Sequence, residues 1–197
     1  MEMKMHKSRI EAFSDGVIAI IITVMVLELK LPKGPHLSDL QPLISVGLCY
    51  VLSFIYLAIY WNNHHHLFQT VKEVNGAILW ANIHLLFWLS LTPFVTAWAG
   101  ENHFAKVPTA IYGFVLMMAG AAYLILTKTL IAKHGKDSVL AKALGKDLKG
   151  KLSVVFYAIS VPLALWFPIV AFLIYILVAV IWIIPDSRIE REFHHRE

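Results

Sequence analysis

Residues 152–185 run for 34 positions without a formal charge. A single α-helix of that length would extend about 51 Å at 1.5 Å per residue, against a hydrocarbon core of ~30 Å. The run therefore reads as two short apolar helices divided near Pro168. Four further charge-poor stretches precede it: Gly16 through Leu31, interrupted only by Glu28 and Lys30, then residues 40–70, 74–100 and 107–127. Six helices are expected, at about 9–31, 40–68, 72–99, 107–132, 151–168 and 169–185, with a short tail at 186–197. The fold class is all-α: one polytopic membrane unit with no internal repeat and no soluble domain.

Composition agrees. The chain is 58% hydrophobic and 15% charged, with mean hydropathy +0.67. Soluble domains carry about 25% charged residues. That excludes an ordinary soluble enzyme, a disordered chain, and a nucleic-acid reader whose pI of about 9.1 arose from a basic groove. The lone cysteine, Cys49, rules out a disulfide framework and a cysteine-built metal site, and reads as a small apolar residue.

Several helix ends have local causes. Leu31-Pro32-Lys33-Gly34-Pro35 should end the first helix, because proline lacks a donor and disfavours α geometry before it. Ser38-Asp39 is placed to cap the second helix. Glu101-Asn102-His103 separates the third from the fourth. Lys4, Lys7 and Arg9 ahead of a short apolar run resemble a signal peptide, but no small-residue cleavage site follows, and the segment is read as retained.

Lysine and arginine placement sets the expected topology. Fourteen fall on one side: Lys4, Lys7, Arg9, Lys72, the seven lysines of 128–151, and Arg188, Arg191 and Arg196. Three fall on the other: Lys30, Lys33 and Lys106. The excess marks the cytoplasmic face, so both termini are expected inside a cell membrane. The 128–151 segment is either a basic loop or a surface lying on anionic headgroups.

The first helix opens with Arg9, Phe13, Ser14 and Asp15 in the pattern R-x-x-x-F-S-D. At about 100° per residue, with Ile20 at zero, Val24 lies near +40°, Leu27 near −20° and Thr23 near −60°, while Asp15 points about 140° away. An apolar stripe thus faces one way and a carboxylate another. Such a carboxylate at the membrane boundary needs a partner or a snorkelling path, unless it serves as a helix N-terminal charge. It is expected to turn away from the apolar stripe, with Arg9, His64 or His65 among its partners. The run His64-His65-His66 invites a metal reading, but adjacent helical residues diverge by about 100° and three cannot converge on one ion. No metal and no cofactor is expected. His84, deep in the third helix, is either functional or a neutral histidine bonded between helices. Glu28 and Lys30, at the far end of the first helix, either bias access of cations or snorkel.

Residues Arg9 to Thr23, as R-x-x-x-F-S-D-x-x-x-A-I-x-x-T, resemble the opening helix of the transmembrane protein 175 family of potassium channels. Trp61-Asn62-Asn63-His64-His65 is similar to that family's W-x-x-H-H. Asn82, followed by Leu91-Thr92-Pro93-Phe94-Val95-Thr96, is similar to its N…L-x-P-F-x-T. The resemblance spans all six helices and points to the prokaryotic, single-unit branch.

It implies a homotetrameric channel for potassium and other monovalent cations, seated in membrane lipid and binding no nucleic acid. Its first helices would line the pore without a P-loop filter. By position, Ile20 would be the constriction, Thr23 the adjacent hydroxyl, and Val24 and Leu27 the continuing wall. Arg9, Phe13, Ser14, Asp15, Trp61, His64, His65 and Asn82 would form the motif and its inter-helix network. Ile20→Asn should then raise cation leak while the same change at Ile21 should not. A proton-coupled secondary transporter is the alternative, motivated by Asp15, Glu28, His84 and the histidine run. It is opposed by the lack of repeats and of helices broken at the midplane. No H-E-x-x-H, G-x-S-x-G or phosphate-binding loop supports an enzyme.

Overall fold

The computed structural model describes residues 7–71, 73–135, 138, 140, 141 and 148–183. Lys4, Lys72, Lys136, Lys142, Lys146, Arg188, Arg191, Arg196 and the tail 186–197 lie outside the described residues. Seven α-helices are described: α1 (Lys7–Leu27), α2 (Ile44–Gln69), α3 (Gly76–Ser90), α4 (Thr92–Glu101), α5 (Lys106–His134), α6 (Leu148–Leu163) and α7 (Pro168–Ile183), with a 3₁₀ turn at Leu37–Leu43. Among the described residues, four segments are long and apolar enough to cross a membrane: α1, the 3₁₀ turn with α2, α3 with α4, and α5. The two 16-residue helices, α6 and α7, reach about 24 Å each.

Among the ends that differ from expectation, two do so through proline, and the penultimate helix stops at Leu163 rather than near 168. The first helix stops at Leu27 rather than Leu31. Pro32 has no N–H for the Glu28 carbonyl four residues back, and its ring clashes with that carbonyl, so α geometry fails from Glu28 onward. The third span is not one helix. It breaks at Leu91, where Pro93 cannot donate to the Leu89 carbonyl and the Leu91 N–H turns back to it instead. Asp39 accepts from the His36 backbone N–H at 2.9 Å and so caps the 3₁₀ turn, not α2.

Helix α5 is the hub, packing on α3, α4, α6 and α7, whereas α1 lies against α2, α3 and α4. The apolar interior forms two clusters. One joins α1, the last turns of α2, α3 and the later half of α5 through Ile18, Met25, Phe68, Leu85 and Leu126. The other joins α2, α4, α5, α6 and α7 through Leu52, Tyr112, Tyr157 and Tyr175. Cys49 is a fully buried free thiol in the second cluster. Several hydroxyls there pair across helices, which offsets the cost of placing them in a bilayer interior. Ser53 Oγ meets Thr96 Oγ1 at 2.6 Å and the Tyr112 hydroxyl at 2.8 Å, and the Tyr157 hydroxyl donates to that of Tyr56 at 2.9 Å. Gly100 lets α4 touch α2, since a Cβ built there would stand 2.7 Å from Val46 Cα.

Candidate functional site

The R-x-x-x-F-S-D motif fills the first turns of α1, and its members separate by helical angle. Ser14 is fully buried, and its hydroxyl donates to the Ile10 carbonyl at 2.8 Å. With that proton committed, Ser14 Oγ accepts from Asn82 Nδ2 of α3 at 2.9 Å. Asn82 Oδ1 then faces α2, where His64 Nε2 lies 2.8 Å away and must carry the proton. His64 is 2% exposed and its ring stacks on Phe68 at 4.5 Å between centroids. One chain of donors, His64 to Asn82 to Ser14 to Ile10, thus ties three helices together.

Asp15 lies outside this chain. It is exposed, and its Oδ1 accepts from Trp61 Nε1 at 3.0 Å. The partners expected for it sit elsewhere within the chain. Arg9 is exposed and ion-pairs with none of the described carboxylates. His64 turns inward to Asn82, and His65 stacks on Trp61 and accepts from Gln69 Nε2 at 2.8 Å. The indole of Trp61, a member of the inter-helix network that the resemblance implies, is the carboxylate's donor. Phe13 is also exposed, on a different face of α1 from Asp15. The three consecutive histidines meet three different surroundings, and no group of three His, Cys, Asp or Glu that could hold a metal occurs among the described residues.

The rest of α1 is two-faced. Ile10, Ser14, Ile18, Ile21 and Met25 are buried. Ile20, Val24 and Leu27 are 64%, 42% and 77% exposed. Thr23 is exposed alongside, its hydroxyl donating to the Ala19 carbonyl at 2.9 Å, which leaves the Oγ1 lone pairs facing outward. An unburied apolar face on a spanning helix is open to lipid, to another subunit or to a shared lumen. Ile21 is a core residue at 5% exposure, so it is no neutral control for Ile20. His84 bonds within its own helix rather than between helices. Trp88 Nε1–H donates to His84 Nε2 at 2.9 Å, so the proton of the neutral ring sits on Nδ1. Pro93 is the position sequence reading missed: it lies inside the N…L-x-P-F-x-T match, and its missing donor signals the α3–α4 break.

The family description "Endosomal/lysosomal potassium channel TMEM175" matches residues 9–93, from the motif arginine to the α3–α4 break. A potassium channel of Chryseobacterium sp. (strain P1-3) is 54% identical over 187 residues, covering 95% of this chain and 97% of that one. The chain belongs to the TMEM175 family. Its fold is that of the crystal structure of a lysosomal potassium-selective channel TMEM175 homolog from Chamaesiphon minutus. That match has a TM-score of 0.79 and 26% identity, and covers 92% of this chain and 98% of the other. A longer TMEM175 relative, the endosomal/lysosomal proton channel of Danio rerio, is 26% identical over 132 residues, covering 64% of this chain but 24% of its own length. This TMEM175-family chain is therefore a multi-pass membrane protein of a channel family, not an enzyme.

Proposed function

We propose that this TMEM175-family chain is a potassium-permeable cation channel, working as a homotetramer whose four α1 helices surround the pore. The observation that carries the reading is the unburied face of α1. Ile20, Val24 and Leu27 remain exposed in the folded chain while the opposite stripe is in the core. Ile20 lies about two turns before the end of α1 and forms the constriction. Four sec-butyl groups offer no oxygens to replace a hydration shell, so such a ring acts by width and dewetting rather than by coordination. Turning each α1 by roughly 60° exchanges Ile20 for Thr23 at the axis and replaces the apolar plug with hydroxyls. Support for potassium as the permeant ion comes from the relative that is 54% identical over nearly the whole chain. Ser14 and Asp15, through Asn82, His64 and Trp61, hold α1 at its motif end and set its rotation. Both termini are cytoplasmic in this reading, from the fourteen-to-three lysine and arginine bias.

Reconstituted liposomes test it. A potassium gradient alone should drive electrogenic flux that persists when the pH gradient is collapsed. Flux that vanishes with the pH gradient would replace the channel with a proton-coupled carrier.

A further inference from the structure

The end of α1 opposite the motif carries charges for which the pore reading has no use so far. A groove of about 520 Å³ opens there between α1 and the α3–α4 break, lined by Val24, Glu28, Pro93, Phe94 and Glu101 among others. The described charged residues at this end are Glu28, Lys30, Lys33, Asp39, Glu101 and Lys106. Of these, Glu28 and Glu101 line the groove. The two carboxylates are not equivalent. Lys30 Nζ stands 2.6 Å from Glu101 Oε1, whereas Glu28 ion-pairs with none of the described cations.

We propose that Glu28 sets how readily cations enter the pore from this end, and that Lys30 tunes the same process by neutralising Glu101. The proposal rests on the reading that α1 lines the pore. Val24 belongs both to the groove and to the exposed face one turn from Ile20, so the groove opens onto the proposed ion path. Glu28 follows Ile20 by about 12 Å along the helix direction. That is too far to bind an ion at the constriction and near enough to bias its concentration at the mouth. The Lys30–Glu101 pair is solvent-exposed, with side chains 68% and 41% accessible. Exposed pairs contribute little to stability, so its consequence lies in the local potential. Lys30 cancels one carboxylate per subunit and leaves the other. In a tetramer, four unpaired carboxylates about 10 Å from an entering ion raise its local concentration roughly fivefold or more at about 0.01 M salt. At about 1 M, where the screening length is ~3 Å, they have almost no effect.

The test is unitary potassium conductance of the full-length channel in neutral-lipid bilayers, with ions entering from the Glu28 side, at about 0.01 M and about 1 M KCl. At low salt, Glu28→Gln should lower conductance ~2-fold or more, Glu101→Gln should lower it by exposing Lys30, and Lys30→Gln should raise it by releasing Glu101. All three should converge with the parent at high salt. The swap Lys30→Glu with Glu101→Lys should restore parental conductance. A pair that merely braced the fold would make Lys30→Gln and Glu101→Gln fail in the same direction, which would overturn the proposal. Ile20→Asn, recorded alongside, separates the two readings. If it alters conduction while Glu28→Gln matches the parent at low salt, the mouth assignment falls and the pore stands. If neither variant alters conduction, both fall.

Discussion

His64, Asn82 and Ser14 are the residues on which the bundle's polar bookkeeping turns, because each is buried and each bond uses the donor the next atom needs. Asn82→Leu keeps the volume but strands the His64 Nε2–H and the Ser14 oxygen, a cost of about 1–3 kcal/mol per orphaned group. Thermal unfolding in detergent should show that loss, and the double variant His64→Phe with Asn82→Leu should lose less than the sum of the two singles. Additive losses would mean that the two side chains do not act on one another. Trp61→Phe removes an exposed bond to Asp15 and should shift stability by under about 1 kcal/mol. Each of these residues was legible in the sequence, because each falls in a motif that resembles the family's. Their pairing was not. Whether a carboxylate at position 15 meets an arginine, a histidine or an indole depends on how α2 is rotated against α1, and that rotation is set by packing many residues away.

At the scale of elements, hydropathy and charge located the spans, and proline decided where they end. Pro32 and Pro93 act on carbonyls four residues upstream, at Glu28 and Leu89, so the helix fails earlier than the proline itself suggests. That displacement is why the first helix stops at Leu27 and why the third span is two helices. The faces of α1 were harder to read, since a helix apolar all round has no unique side. Only packing distinguishes Ile20 from Ile21. Ile21→Asn puts an amide into the core and should destabilise the protein by about 2–4 kcal/mol through lost burial and an unpaired polar group, while Ile20→Asn should unfold within about 0.5 kcal/mol of the parent. Equal destabilisation of the two would mean that α1 has no free face. Gly100→Ala, pressed on the Val46 backbone, should cost about 1–3 kcal/mol in the same assay.

At the scale of the molecule, one subunit leaves Ile20, Val24 and Leu27 outside its own core, and in the proposed tetramer that face lines the pore. The charge bias predicts one orientation: a cysteine introduced at position 142 should label only from the cytoplasmic side, with buried Cys49 silent. External labelling would invert the topology. The central claim is that four copies of the Ile20 face meet around a water-accessible axis. It is tested most directly by recording potassium currents from Ile20→Asn and Val26→Asn channels in bilayers. Both residues are exposed, on faces of α1 about 120° apart, so fold stability does not confound the comparison. The account predicts a raised resting cation leak for Ile20→Asn and parental currents for Val26→Asn; parental currents in both, or a leak in both, would contradict it.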